Sequence, residues 1–285
     1  MRTFIRWPGN KLVYAKRIIK LFPSEIRGTY YEPFLGSGAI FLTLQPQKWV
    51  INDLNVDIYN LWSFIYQDIN KFITKIKQFR KEFQIALQSN QVDAFAKTKI
   101  EYLNKTAGSS KESLKRTVTY VMMKYIAYLG HIFVNNKFAF VGLENNILKG
   151  KPLYYMGEKY LANMKSVNRF MKGDGVKGKI MNGDYRKVIR KAKKDDFVFL
   201  DPPYYEPEVD YKFNYNKNEK VGNSFIKDLK KEVDNLDKKG VQWLMTQADT
   251  PFIREVFGSK YTIQELRVYR RTKNMYVNEL IITNY

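Results

Sequence analysis

The stretch Thr29-Tyr30-Tyr31-Glu32-Pro33-Phe34-Leu35-Gly36-Ser37-Gly38, followed by Ala39-Ile40-Phe41-Leu42, decides the fold of this chain. It predicts a strand, a glycine turn and the start of a helix. Such a junction presents backbone N–H groups and a bare backbone surface to a bound ligand, as nucleotide-type cofactors require. Two glycines alone are a weak signal. The third glycine of the dinucleotide fingerprint is absent, which disfavours a nicotinamide cofactor.

The next strand-like run, Trp49-Val50-Ile51-Asn52, ends at Asp53. An acidic residue at the end of the second strand of a βαβ unit usually holds the two hydroxyls of a ribose. The alternative is that Asp53 caps a helix beginning near Val56.

A second signal is Asp201-Pro202-Pro203-Tyr204, which follows the apolar run 197–200. The residues predict a rigid shelf with one carboxylate, one ring and carbonyls that no prolyl nitrogen can engage. This shelf suits the exocyclic amino group of a flat heterocycle: Asp201 and the Pro202 carbonyl accept its hydrogens, and Tyr204 stacks on the base. The alternative is a simple turn that ends the strand.

Seven strand-like runs predict an α/β fold with a doubly wound, mostly parallel sheet. They lie at about 29–34, 48–52, 177–182, 196–201, 240–246, 260–268 and 277–284, mostly separated by helical patterns. The gap between the second and third runs is too long for one crossover. We therefore predict a catalytic domain in two parts, 1–62 and 166–285, around a mainly helical insert, 63–165. Within the insert, 130–142 indicates a β-hairpin with Asn135-Asn136 at its turn.

The composition indicates a partner of negative charge. The chain has 285 residues, 49 Lys and Arg against 28 Asp and Glu, and a net charge of +21. This excess attracts polyanions, and 21 Tyr and 19 Phe supply stacking surfaces, so nucleic acid is the expected partner. No apolar run approaches the roughly 20 residues of a membrane span. The N-terminal residues lack the apolar core of a signal peptide, so a cytoplasmic location is expected.

The absence of cysteine restricts the chemistry. It excludes disulfides, thiolate zinc sites and thiol nucleophiles, and with them cytosine C5 methylation through a cysteine adduct. His131 is the only histidine, so clusters of histidine ligands are excluded too. We expect His131 to be a loop residue and not a catalyst.

The glycine loop, the acidic second strand and Asp-Pro-Pro-Tyr, in that order, resemble the DNA adenine methyltransferase (Dam) family. Other segments extend the resemblance over nearly the whole chain. Arg6-Trp7-Pro8-Gly9-Asn10-Lys11 is similar to the family's Lys-Trp-x-Gly-Gly-Lys, with departures at Pro8 and Asn10. Further matches are Glu32–Ala39, Asn52-Asp53-x-Asn55, Gly183-Asp184-Tyr185, Trp243–Thr246 and Asn278–Tyr285.

The resemblance implies a class I, Rossmann-like methyltransferase that acts on N6 of an adenine flipped out of double-stranded DNA. It implies S-adenosylmethionine as methyl donor, S-adenosylhomocysteine as product, and no metal. The implied catalytic residues are Asp201, Pro202 and Tyr204. The implied cofactor-binding residues are Trp7, Lys11, Phe34, Gly36, Gly38, Asp53, Asp184, Tyr185 and Asp201. The residues expected to bind DNA are Arg6, Asn135, Asn136 and Lys137.

By the same resemblance the insert is a target recognition domain. Lys137 and the two asparagines at the hairpin tip are candidates for base reading, because Lys suits guanine and Asn suits adenine. Phe138 and Phe140 share a face, and we expect them to pack in the core rather than to replace the flipped base. No arginine lies between Gly130 and Gly150, whereas relatives that read GATC carry one there, so the recognition sequence stays open.

Three other functions remain open at this point. They are N4-cytosine DNA methylation, methylation of RNA or protein on the same shelf, and DNA binding with a decayed cofactor site. A cognate restriction endonuclease would be a functional partner within a restriction-modification pair. We expect a monomer or weak dimer.

Overall fold

A computed structural model describes residues 1–7, 9–107, 113–130, 132–134, 137–140, 142–143, 147, 157–205, 222–270 and 275–285. The chain divides into two compact units. The helical unit comprises Met1–Leu12, Gly36–Gln45 and Asn55–Val176, and the sheet unit comprises Val13–Leu35, Pro46–Leu54 and Lys177–Tyr285. In the described part of the chain, no helix combines the length and the apolar character that crossing a membrane requires.

The described strands are β1 (Tyr30–Glu32), β2 (Lys48–Asp53), β3 (Phe133–Val134), β4 (Lys137–Phe138), β5 (Lys177–Asn182), β6 (Phe197–Leu200), β7 (Gln242–Ala248), β8 (Thr262–Arg270) and β9 (Met275–Thr283). The described helices of six or more residues in the helical unit are α2 (Ala39–Leu44), α3 (Val56–Gln67), α4 (Ile69–Gln88), α5 (Val92–Lys105), α6 (Leu114–Ile126) and α7 (Glu158–Met171). The sheet unit carries α1 (Ala15–Ile19), α8 (Tyr185–Ile189), α9 (Asn223–Lys238) and α10 (Pro251–Gly258).

The sheet unit contains a seven-stranded sheet with the order β5-β2-β1-β6-β7-β9-β8. The first five strands in this order run parallel, whereas β9 is antiparallel to both β7 and β8. The chain moves outward from β1 to β2 and β5, and then builds β6 and β7 on the opposite side. The carboxyl ends of β1 and β6 therefore flank a topological switch point, where α/β sheets bind ligands. The predicted mostly parallel α/β sheet is confirmed.

Successive side chains of β6 point to opposite faces of the sheet, and both faces are packed. All four of its residues are buried. Val198 and Leu200 belong to an apolar cluster with side chains from α8, α9 and α10 on one face of the sheet. Phe197 and Phe199 face the other way, where the ring of Phe22, just after α1, lies 4.6 Å and 5.8 Å from their rings. Apolar burial on both faces is what a parallel strand at the centre of a sheet requires.

The helical unit is held together by a buried ion pair. Arg116 of α6 donates from Nε and Nη2 to the two carboxylate oxygens of Asp57 in α3, at 2.8 Å each. The same guanidinium donates from Nη1 to the Leu103 carbonyl of α5 at 2.8 Å. One side chain thus joins three helices, and its Nη1 also donates to the Thr106 hydroxyl at 2.6 Å, so the buried charge is both paired and hydrogen-bonded.

The hairpin predicted within the insert is present. β3 and β4 pair antiparallel, with Phe133 opposite Phe138 and Val134 opposite Lys137. The Phe138 backbone donates to and accepts from the side-chain amide of Asn104, both at 2.9 Å. The hairpin is thereby attached to α5.

Candidate active site

Asp201 follows β6 directly and its carboxylate is oriented by the neighbouring strand. Leu200 pairs with Met245 in the β6–β7 ladder, so the next residues of the two strands are also neighbours. The Thr246 hydroxyl donates to Asp201 Oδ1 at 2.5 Å, and Thr246 is fully buried. A hydrogen bond to an ionised carboxylate is short and strong, so this bond limits rotation of the Asp201 side chain.

Gln247, the next residue of β7, holds the remainder of the shelf. Its Oε1 accepts from the Tyr205 N–H at 2.9 Å, and its Nε2 donates to the Pro203 carbonyl at 3.5 Å. Within the described residues the Pro202 carbonyl accepts no hydrogen bond. The shelf therefore keeps the acceptor that the prediction assigns to an amino group.

The Tyr204 ring is fixed by two residues of the β8–β9 hairpin. Its hydroxyl donates to Glu279 Oε2 at 2.8 Å. The Arg270 guanidinium carbon lies 5.5 Å from the ring centroid, and Arg270 Nε lies 3.8 Å from Glu279 Oε1. Tyr204 is only 8% exposed, so its orientation is determined before any ligand binds.

Glu32 brings a second carboxylate to the carboxyl edge of the sheet. It ends β1, is buried, and accepts from the Tyr30 hydroxyl at 2.6 Å. Burial raises the pKa of Tyr30 well above its ordinary value, and the charges of Glu32 and Asp201 raise it further. Tyr30 therefore stays protonated and donates its hydroxyl hydrogen to Glu32 at the end of β1.

Asp53 ends β2 and is buried, with 8% of its surface exposed. The helix that follows is capped by Asn55, whose side chain accepts from the N–H groups of Asp57 at 2.9 Å and Ile58 at 3.4 Å. The capping role considered for Asp53 therefore belongs to Asn55. Asp53 stays a predicted ribose ligand.

Phe34 and Tyr185 lie together in the sheet unit, with ring centroids 5.0 Å apart. Asp184 directly precedes Tyr185, and its carboxylate caps α8 by accepting from the Arg186 N–H at 2.8 Å. It also forms an ion pair with the Arg186 guanidinium. Hydrogen bonding to Arg186 lowers the pKa of Asp184, so this carboxylate is ionised and already engaged.

Two buried polar atoms near the ends of β2 and β5 have no hydrogen-bond partner in the described part of the protein. They are Asn52 Oδ1 and the Tyr185 hydroxyl. Asn52 is held in place because its Nδ2 donates to the carbonyls of Pro33 and Gly183, both at 2.9 Å. Buried polar groups are rarely left unsatisfied in a folded protein. These residues therefore fit a nucleoside-type ligand with donors and acceptors of its own.

The glycine loop begins in the sheet unit and ends in the helical unit. Gly36 has φ +48°, and a Cβ placed there would lie 2.6 Å from Trp7 Nε1. Gly38 has φ +66°, and a Cβ there would lie 2.3 Å from the Trp62 ring. Trp62 Nε1 also donates to the Gly36 carbonyl at 3.3 Å. Both positions thus require glycine because of their backbone conformation and the indole rings against them.

A buried lysine outside all of the sequence motifs lies beside the N-terminal motif. Lys124 Nζ lies 5.2 Å from the Trp7 ring centroid and donates to the Gly130 carbonyl at 3.1 Å. Burial lowers the pKa of Lys124 to about 8. Lys11 is also buried and donates to the Gly9 carbonyl at 3.1 Å. The sequence signal for a special role of Lys124 is its position within the otherwise apolar end of α6.

The residues expected to bind DNA are only partly described. Lys137 is exposed on β4. Asn135, Asn136 and His131, and also Pro8 of the N-terminal motif, lie outside the described residues. Arg6 packs against the chain, because a Cβ on Gly130 would lie 3.0 Å from Arg6 Cβ.

The hairpin phenylalanines are also partly described. The Phe138 ring lies 6.0 Å from the Tyr120 ring, edge to face, which favours the packing role that we expected for it. Phe140 is half-buried. Across the described ranges, no group of three or more acidic or histidine side chains is arranged to hold a metal ion.

Comparison with known proteins gives consistent matches over the length of the chain. A family model described as D12 class N6 adenine-specific DNA methyltransferase matches residues 7–272. The chain is 25% identical over 296 residues to the Type II methyltransferase M1.LlaDCHI of Lactococcus lactis subsp. cremoris, covering 100% of this chain and 96% of that protein. It is 24% identical over 287 residues to the DNA adenine methylase of Haemophilus influenzae, covering 98% of this chain and 92% of that protein.

Among solved structures, the rRNA methyltransferase aviRa from Streptomyces viridochromogenes is similar with a TM-score of 0.37 and 11% identity. The match covers 97% of this chain and 85% of that one. At this TM-score the similarity has no bearing on function.

Proposed function

Because the chain belongs to the family of D12 class N6 adenine-specific DNA methyltransferases, we propose that it methylates N6 of an adenine flipped out of double-stranded DNA. The observation that carries the proposal is the orientation of Asp201 at the switch point of the sheet. Thr246 fixes its carboxylate, and the adjacent Pro202 carbonyl is left without a partner in the described structure. Two acceptors side by side match the two hydrogens of an exocyclic amino group.

The protein's contribution to the reaction is to align and polarise the amino group. Asp201 and the Pro202 carbonyl accept hydrogen bonds from its two N–H groups. This arrangement directs the nitrogen lone pair away from the shelf. Tyr204, held through Glu279, provides the ring against which the base lies. Alignment of this kind accounts for much of the rate enhancement when one reactant is already activated.

S-adenosylmethionine, when bound, supplies the activated methyl group on a positively charged sulfur. We propose that Asp53 accepts from its ribose hydroxyls and that Phe34 and Tyr185 line its adenine. Asn52 Oδ1 and the Tyr185 hydroxyl provide the unsatisfied polar atoms that support this assignment. The proposed set of cofactor-binding residues is completed by Trp7, Lys11, Gly36, Gly38, Asp184 and Asp201. No residue of this chain is proposed to hold a metal.

We further propose that residues 63–165 act as the target recognition domain. The β3–β4 hairpin carries the exposed Lys137, and it contacts α5 through Asn104 and α6 through Tyr120. A base-flipping enzyme must grip the duplex on both sides of the vacancy, which a separate module with a projecting hairpin provides. In this proposal Lys137, Asn135 and Asn136 read base edges, and Arg6 contacts DNA.

The direct test is incubation with labelled S-adenosylmethionine and separate DNA, RNA and protein acceptors, followed by sequencing that reports modified bases. We expect label in double-stranded DNA and N6-methyladenine at one short site. N4-methylcytosine, or label only in RNA or protein, would contradict the proposal. Asp201→Ala should abolish transfer. If more than about a tenth of the rate remained, the loss would be only ~1.4 kcal/mol of barrier, too small for this role.

The recognition sequence is tested separately. Methylated plasmid is digested with an enzyme that adenine methylation blocks at GATC. Full cleavage together with clear label incorporation would exclude GATC. Co-expression with a candidate cognate restriction endonuclease would test whether the enzyme protects DNA within a restriction-modification pair.

A further inference from the structure

The end of the β8–β9 hairpin extends past the rest of the sheet. β7 pairs with β9 only as far as Ala248 opposite Glu279, whereas β8 and β9 continue pairing to Arg270 opposite Met275. The last four residues of β8 and the first four of β9 therefore project beyond the edge of β7.

One face of the projecting end carries exposed aromatic and basic side chains. Tyr269 and Tyr276 pair across the strands with ring centroids 5.2 Å apart, and they are 40% and 59% exposed. The Arg267 guanidinium lies 4.9 Å from the Tyr276 ring centroid. A contiguous pair of exposed rings beside an exposed arginine is typical of a surface that contacts a partner.

The start of α1 adds to the same surface. The Tyr14 hydroxyl accepts from the Tyr269 N–H at 2.5 Å. Arg17 Nη1 donates to the Arg267 carbonyl at 3.4 Å, and the Arg17 guanidinium lies 5.9 Å from the Tyr14 ring centroid. We define the hairpin surface as Tyr14, Arg17, Arg267, Tyr269 and Tyr276.

The five residues of the hairpin surface carry only positive charge, and the exposed acid beside them, Glu265, is paired with Arg254. No acidic residue occurs in the sequence between positions 6 and 23 or between 266 and 278. Arg17 and Arg267 are both exposed, and Lys16 and Lys20 are exposed on the same short helical segment. A cationic surface interleaved with aromatic rings matches a nucleic-acid backbone, in which phosphates meet arginines and sugars meet rings.

The hairpin surface lies near the shelf along β8 but on the other face of that strand. Arg270 contacts Tyr204, and Arg267 lies three residues earlier on the same strand, so the two side chains point to opposite faces. Three strand residues span roughly 10 Å, which corresponds to about three base-pair steps of a duplex. At that spacing we expect the surface to meet phosphates that flank the target base.

We propose that the hairpin surface binds the phosphate backbone of duplex DNA a few base pairs from the flipped adenine. This proposal rests on the proposed function, because it takes the shelf as the place where the base binds. It assigns the surface a sequence-independent role, distinct from the base reading proposed for the β3–β4 hairpin.

The test compares two variants that each remove two positive charges. One is Arg17→Gln with Arg267→Gln on the surface. The other is Lys227→Gln with Lys238→Gln, two exposed lysines of α9, as a matched control. Affinity for a fluorescent mixed-sequence duplex of about 30 base pairs is measured by anisotropy over a series of salt concentrations.

For the arginine variant we expect a dissociation constant about tenfold higher at low salt, and a salt slope smaller by about 1.8 units, or ~0.9 for each lost phosphate contact. The control should change both quantities little. Arg17→Lys with Arg267→Lys, which keeps the charge, should restore most of the slope.

Equal affinity and slope in the arginine variant and the control would overturn the proposal. Unchanged DNA binding with a lower sedimentation coefficient for the arginine variant would also overturn it and assign the surface to a protein contact. Methyl transfer by the unmodified protein is measured in parallel. If transfer to DNA failed while the salt slopes still differed, only the proposed function would be contradicted.

Discussion

The hydroxyl of Thr246 in β7 donates to Oδ1 of Asp201 at 2.5 Å, and Asp201 is the residue directly after the neighbouring parallel strand β6. Thr246 does not need to contact a substrate to affect the reaction. It acts as a positioning residue, because it fixes the direction in which the carboxylate of Asp201 presents its lone pairs.

Thr246→Val should therefore slow methyl transfer. The two side chains are nearly equal in volume, so the fold should be kept, while a hydrogen bond to a charged group worth roughly 1.5–3 kcal/mol is lost. The expected fall in kcat is about tenfold or more. Thr246→Ser keeps the hydroxyl and should retain most of the rate. The rates of both variants are measured by single-turnover kinetics with saturating DNA and cofactor. An unchanged rate in the valine variant would contradict the positioning role.

Asp53→Ala should weaken cofactor binding without unfolding the chain. A charge-assisted contact with ribose is worth roughly 1.5–3 kcal/mol, which predicts a dissociation constant at least about tenfold higher by calorimetry. Asn55→Ala is the matched control, because Asn55 is the observed helix cap. It should lower the free energy of unfolding by about 1 kcal/mol. The assignment fails if Asp53→Ala binds S-adenosylmethionine as tightly as the unmodified protein.

Gly38→Ala should destabilise the protein more than Gly175→Ala. Both glycines have φ near +70°, so alanine costs roughly 1–2 kcal/mol of backbone strain at either position. Only at Gly38 would the added Cβ also collide with the Trp62 ring, since nothing lies within 4 Å at Gly175. Urea unfolding should show a clearly larger loss for Gly38→Ala. Equal losses would mean that the loop moves away from Trp62 without cost.

The stability of the sheet unit should depend on pH through Asp234. Burial alone would raise the pKa of this carboxyl, but hydrogen bonds from two lysines and Tyr261 outweigh it and lower the pKa to about 2. The lysines are Lys230 and Lys260, each 2.7 Å from the carboxylate. Because the unfolded value is about 3.9, this stabilisation is complete above about pH 5 and is lost as the pH falls toward 2.

Asp234→Asn should therefore unfold at lower urea concentration than the unmodified protein at neutral pH. The difference should shrink between about pH 4 and pH 2, where the carboxylate of the unmodified protein becomes protonated. A difference that stayed constant over this range would show that the asparagine acts by packing and not by loss of charge.

The sequence was sufficient for the strands and for the order of the motifs, because these follow from local patterns. β5 begins and ends as predicted, at Lys177 and Asn182. β7 was predicted from 240 and begins at Gln242. Gly240 adopts φ +69° at the end of α9, so the chain must leave the helix before the strand can start.

The residues that orient the shelf could not be predicted in the same way. Thr246 meets Asp201 across 45 positions of sequence, and Glu279 meets Tyr204 across 75. Such contacts depend on the register of the β6–β7 and β7–β9 ladders, which residue type does not encode. The helix cap of α3, in contrast, could be predicted from the sequence. Asn55 directly precedes the helix, and asparagine is one of the residue types preferred at that position.

The edge strands of the sheet affect how readily the protein aggregates. β5 and β8 are the edges of the sheet, and an edge strand offers unpaired N–H and C=O groups to any other strand that approaches. Lys177 and Lys179 are exposed on β5, and Glu265 and Arg267 on β8. A second chain that paired with either edge strand would have to desolvate these charges. The charges therefore oppose edge-to-edge polymerisation. Valine at both lysines of β5 would leave the fold intact and make the protein prone to amyloid-like association during expression.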